Sequence, residues 1–215
     1  METYSHCPCS EALLDTIRAR LPEFLGEKRL NHTFFVEKES LALAESLFLV
    51  YNIANVYTRD LRAAALLHDL TKEMPLDKQL AMCERFGIEC GKSPSAAVLH
   101  GHTAAYLARE LFGISEPVFS AVYYHTTGKA NMNVFEKIIF LADYIEPSRR
   151  HEHCQKTRAF FYGELARRGA KDSAAVLDQA ILMSLDGTLS HLLDKGCVID
   201  LQTVEARNYL IGQTA

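Results

Sequence analysis

The chain has 215 residues, 48% of them apolar and 23% charged. That profile suits a protein with a sizeable buried core and excludes a disordered chain. A formal net charge of −4 argues against nucleic acid as the main partner, since such proteins usually carry a basic stripe; the one basic cluster runs through Arg149, Arg150, Lys156 and Arg158.

The N-terminus, METYSHCPCSEALLD, has no basic segment leading into an apolar run. No stretch approaches the roughly 20 apolar residues of a bilayer-spanning helix, so a cytoplasmic protein without a membrane partner is expected. The six cysteines, at positions 7, 9, 83, 90, 154 and 197, are then expected as reduced thiols. His6, Cys7 and Cys9 lack the second ligand pair of a four-ligand zinc site, and the sequence there reads as a frayed terminus.

Apolar residues at three- and four-residue spacing predict helices over about 31–50 and 58–70. Pro75 opens LDKQLAMCERF and Gly87 stops it. Ser93–Pro94 opens a helix carrying AAVLHGHTAAYLARELF, ended by Gly113, and Ser115 caps PVFSAVYYH, which runs towards Gly128. Asn133 and Glu136 form a capping-box pattern before VFEKIIFLADYI, which Pro147 ends. The segment 148–158 is polar and basic, and reads equally as a linker or as a loop over an active site. Helices over about 172–195, stopped by Gly196, and 201–211 complete the chain. With no cleanly alternating segment, the expectation is an all-α bundle. It would form a single domain over 1–215, with a core at about 25–150 and a helical extension at 151–215 packing on it.

Nine histidines are present. His6, His151, His153 and His191 read as ordinary surface residues, but others have apolar flanks. His68 and Asp69 follow AAALL, Asp143 lies inside IIFLADYI, and His100 and His125 end AAVLH and AVYYH. Burying such groups costs several kcal/mol unless each is satisfied. A single Asp of this kind would be explained by a cap or a buried ion pair. Four helices each delivering a His or Asp from an apolar flank point instead to metal ligation. Neighbours on a helix point about 100° apart, so His68 and Asp69 serve one centre only where helices cross and Asp69 bridges. Counting His32, six ligand groups exceed the need of one tetrahedral ion but suit two metals sharing a carboxylate, a clamp for in-line displacement at phosphorus by an acidified water.

The order His32, His68–Asp69, Asp143 resembles the H…HD…D signature of the HD-domain superfamily of metal-dependent phosphohydrolases. KRLNHTFFV, LLHDLTKEMP, VLHGHTAAYLA, YYHTTGKANM and KIIFLADYIEPSRR look like successive blocks of its YqeK branch, the symmetrical bis(5′-nucleosyl)-tetraphosphatases. The resemblance covers about residues 25–150. It implies a helical HD fold, a dinuclear centre that is commonly iron, and cleavage of diadenosine tetraphosphate into two ADP. Residue by residue, it implies that His32, His68, Asp69 and Asp143 hold one metal, with Asp69 bridging, and that His100 and His125 complete the second. It selects His100 over His102, which faces another way on the same helix. Manganese, cobalt or nickel would suit the same ligands.

A tetraphosphate needs cations beyond the metals. Lys72, four positions after His68, is expected on its face if the helix continues, and with Asp69 is assigned a catalytic role. Thr126, Lys129 and Arg149 are further substrate-binding candidates. Two departures stand out from the family pattern: Lys129 replaces an arginine, giving a point charge without the planar fork, and RHEHCQKTRAFF replaces a proline–glycine turn after Arg149. No residue for adenine recognition emerges, and a homodimer stays open. Two rival readings remain. One is another HD activity, such as a nucleotidase, dNTP hydrolase or phosphodiesterase; the other is a nucleotide-binding regulator without catalysis, against which all six ligand positions are filled.

Overall fold

The computed structural model describes residues 9–51 and 55–214, all helix and connecting turn with no strand among them. The all-α expectation is therefore met, with several changes of boundary. His6 and Cys7 lie outside the described residues. Cys9 is not frayed: it is buried, and its N–H donates to Asp60 Oδ1 at 2.8 Å.

Helix α1, Glu11–Arg20, was not expected. Ser10 caps it by accepting from the Leu13 N–H, and it buries only Leu14 and Ile17, too narrow a stripe to stand out in so polar a window. A 3₁₀ turn, Leu21–Glu23, leads into α2, Glu27–Tyr51, which begins four residues earlier than predicted.

Helix α3, Asn55–Leu67, stops before His68, where the apolar spacing predicts one helix over 58–70. The chain continues in tight turns, with Leu70 N donating to Leu67 O, Lys72 N to Asp69 O and Met74 N to Thr71 O, at 2.9–3.1 Å. Adjacent His68 and Asp69 are thereby freed from the angular spacing of a helix. Thr71 Oγ1 anchors the turn by donating to His100 O at 2.8 Å, with Thr103 Oγ1 also 2.8 Å away.

Helices α4, Leu76–Phe86, and α5, Ala96–Phe112, both end on left-handed glycines, Gly87 and Gly113, with φ of 67° and 60°, a conformation that glycine adopts without steric cost. The N-cap of α5 is Ser95, not Ser93. Helix α6, Glu116–Tyr124, has His125 as its C-cap. Helix α7, Val134–Ile145, starts with the complete Asn133–Glu136 capping box. The α7 signal is complete, whereas at α6 Ser115 takes the N-cap position but its hydroxyl makes no capping bond.

The segment 148–158 is neither linker nor open loop over most of its length, because α8 runs from Glu152 to Arg168. Its buried residues are Cys154, Thr157 and Phe161, one per turn on a single stripe, which its polar composition conceals. Helices α9, Ser173–Asp194, and α10, Leu201–Thr214, match the predicted tail closely. Helix α7 packs on α2, α3, α6, α8 and α9 and is buried along most of its length, so it forms the centre on which the site is built.

Candidate metal centre

Four helices and the turn after α3 contribute polar groups to one buried spot. His32 comes from α2, His68 and Asp69 from the turn after α3, His100 from α5, His125 from the end of α6 and Asp143 from α7 itself. Close packing of α5 on α6 brings His100 and His125 together: a Cβ on Gly101 would lie 3.1 Å from Tyr123 O and 3.2 Å from His125 Cε1.

Asp69 stands at the middle and is 2% exposed. Its Oδ2 lies 3.5 Å from His32 Nε2 and 3.3 Å from His68 Nε2. Its Oδ1 lies 3.1 Å from His100 Nε2 and 3.8 Å from His125 Nε2. Asp143 Oδ1 closes the first group, 3.0 Å from His32 Nε2 and 3.7 Å from His68 Nε2. Within each group the rings also approach one another: His32 Nε2 is 3.3 Å from His68 Nε2, and His100 Nε2 is 3.0 Å from His125 Nε2. The side chains thus form two clusters that share one carboxylate, one oxygen facing each.

The outer ring nitrogens say what the inner ones offer. His68 Nδ1 lies 2.7 Å from Ala65 O, His125 Nδ1 2.7 Å from Val122 O, and His32 Nδ1 3.0 Å from Glu146 Oε1. Those oxygens only accept, so each Nδ1 carries a proton, and in the neutral ring each Nε2 presents its lone pair to the centre. His100 is the exception, with its Nδ1 buried and unpartnered. Several acceptor nitrogens converging on two carboxylates is an arrangement that divalent cations complete. The all-nitrogen-and-oxygen donor set suits transition metals such as iron, manganese, cobalt or nickel.

The charges agree with that reading. Burial pushes the Asp69 carboxyl up, but His68, with His100 and His125 beside it, outweighs that and holds the group well below the usual carboxylate range. Asp143 is likewise held low against its burial by Arg149 and His32. Burial brings His100 down to about 4 and also lowers His125, leaving both neutral and able to ligate. On His32, burial is outweighed by bonds to Asp143 and Glu146, which raise it to about 9; a cation there competes with a proton.

Two residues at this centre were missed from sequence. Arg29 Nη1 donates to Asp69 Oδ2 at 2.7 Å, and buried Glu146 holds His32. Arg29 precedes His32 by three residues and Glu146 follows Asp143 by three, the spacing at which helical neighbours share a face. His102 stands apart, its ring stacked on Tyr123 at 4.1 Å with neither nitrogen hydrogen-bonded.

Residues 29–148 match the HD domain family model. The chain belongs to the HD-domain family. Among its relatives are the symmetrical bis(5′-nucleosyl)-tetraphosphatases of Staphylococcus aureus and Halalkalibacterium halodurans. Each is 31% identical, over 87% of this chain and 89% and 91% of those proteins respectively. A crystal structure from Clostridium acetobutylicum, described as a predicted HD superfamily hydrolase involved in NAD metabolism, superposes with a TM-score of 0.79 at 36% identity, covering 96% of this chain and all of that one.

Beside this HD-domain centre a cavity of about 480 Å³ opens, with Lys72, Thr126, Asp143 and Arg149 in its lining. Lys72 Nζ is 3.3 Å from His100 Nε2, although the helix expected to present it has already ended. Thr126 Oγ1 lies 3.0 Å from His125 Nε2. Arg149 pairs with Asp143 and donates from Nε to the Asp143 carbonyl at 2.9 Å. Lys129 is not brought to the centre. Its amine pairs with Glu136 at 2.7 Å and sits over the Tyr124 ring, so the substrate role expected of it loses its geometric basis.

Proposed function

We propose that this protein hydrolyses diadenosine tetraphosphate symmetrically into two ADP, using two transition-metal ions, iron in the first place, and an activated water. The observation that carries the reading is Asp69, whose two oxygens face two separate histidine groups. His32, His68 and Asp143 would hold one ion, His100 and His125 the other, with Asp69 shared between them. Such a pair of ions supplies Lewis-acid stabilisation of the phosphoryl oxygens and acidifies the attacking water.

The chain's own residues do the rest. Arg29 fixes the carboxylate plane of Asp69, and Glu146 sets the tautomer of His32, as partners beyond the ligands commonly do. Lys72 and Thr126, both lining the cavity beside the second histidine group, receive the phosphate chain and offset the charge that grows on its oxygens. Arg149 reaches the same cavity while holding Asp143. Water adds at one of the two central phosphorus atoms, the central anhydride bond breaks, and ADP leaves from each half. Residues 151–215 belong to the same catalytic unit, since α8 and α9 wall the cavity. No helix among the described residues is long and apolar enough to cross a membrane, in keeping with action on a small nucleotide in the cytoplasm.

The products decide the matter. Anaerobically purified protein given diadenosine tetraphosphate should release two ADP per substrate and no inorganic phosphate. AMP or phosphate would instead indicate another HD activity, and tight nucleotide binding without metal-dependent turnover would indicate a regulator.

A further inference from the structure

A second cavity, of about 320 Å³, is lined by the turn after α4, one face of α5, Tyr123 of α6 and the start of α10. It shares no lining residue with the cavity beside the metal centre. The reason lies in α5: His102, two positions after the ligand His100, points about 200° round the helix from it. His102 lines this second cavity and is 7% exposed, with both ring nitrogens buried and unpartnered. A buried imidazole in that state costs free energy that a bonding partner would recover. Stacking on Tyr123 fixes the plane of the ring.

The rest of the lining says what that partner is. Glu89 from the turn after α4, with Asp200 and Glu205 at the start of α10, brings three carboxylates, and no lysine or arginine lines the cavity. Asp200 is close enough for its charge to act on the His102 ring. The other walls include Val98 and Tyr123, with the exposed side chains of Val198 and Leu201 beside them. We propose that this cavity binds a short diamine, a small organic cation with an ammonium group at each end of an apolar chain. One end pairs with Glu89 and the other with Asp200 and Glu205, an N–H is donated to the acceptor nitrogen of His102, and the methylenes lie on the apolar walls. The volume is at the lower end for small-molecule sites; a bare metal ion would leave most of it empty, and an anion would meet three like charges. The site is independent of the hydrolase reading, since it uses no residue of the metal centre.

Calorimetric titration of the metal-loaded protein with 1,4-diaminobutane at low ionic strength should show saturable binding. The uncharged 1,4-butanediol should bind at least about tenfold more weakly, the loss expected when charge-assisted bonds are removed. The same loss is expected for the diamine in the double variant Glu89→Gln, Glu205→Gln, and in His102→Phe, which keeps a ring on Tyr123 and removes its nitrogens. Both glutamates are exposed, so the double variant keeps the test open if His102→Phe fails to fold. Asp200 is left unchanged because its Oδ1 accepts from the Gln202 N–H at 2.9 Å at the start of α10. Absence of saturable binding, equal affinity for diamine and diol, or an affinity undiminished in a folded variant would overturn the site, the last because the diamine would then be held elsewhere.

Discussion

Asp69→Asn is expected to lower turnover by at least about three orders of magnitude, equivalent to about 4 kcal/mol of transition-state stabilisation. The change keeps the shape of the side chain and removes its charge. The carbonyl oxygen of Asn can still accept from Arg29, which now donates to Asp69 Oδ2. An amide, however, is a poor bridge between two cations and does nothing to offset their charge. Asp69 faces both histidine pairs with opposite oxygens, Oδ2 towards His32 and His68 and Oδ1 towards His100 and His125. The fold should survive, because a buried amide finds partners more cheaply than an unpaired carboxylate does. Were Asp69 merely the ion-pair partner of Arg29, the substitution would lower the thermal midpoint and leave the rate per folded molecule nearly intact. Thermal midpoint, metal content and ADP production on one preparation separate these outcomes.

His100→Ala should abolish most activity and part of the metal content, whereas His102→Ala should do neither. The two residues share α5, yet His100 Nε2 lies 3.1 Å from Asp69 Oδ1 while the His102 ring stacks on Tyr123. Burial lowers both to about 4, so both are neutral imidazoles at physiological pH and differ only in what they face. Metal analysis and turnover on the two variants check this directly. Equal losses, or a loss confined to His102→Ala, would mean that the helix presents the other face to the metals.

The fold class was legible because its punctuation is local. Gly87, Gly113 and the Asn133–Glu136 capping box mark helix ends by their own backbone chemistry, and the HD-family blocks mark the order in which the centre is assembled. Helix α8 escaped because Cys154, Thr157 and Phe161 bury a stripe one residue wide within a charged sequence. The end of α3 escaped because nothing in AAALLHDL breaks a helix; Thr71 and the carbonyl of His100, far apart in sequence, hold the turn. At the site, groups flanked by apolar residues announced themselves by the cost of burying them. Arg29 and Glu146 gave no such signal, since charged residues near helix ends usually face solvent. Lys129 shows the converse: its position in the motif suggests phosphate, while in the structure it pairs with Glu136, seven residues on.

The most direct measurement is elemental analysis of the anaerobically purified protein, before and after reconstitution with ferrous iron. Two histidine groups sharing Asp69 predict two transition-metal ions per chain, falling well below two in Asp69→Asn. One ion or fewer per chain after full reconstitution, in protein that still converts diadenosine tetraphosphate to ADP, would contradict the two-metal account.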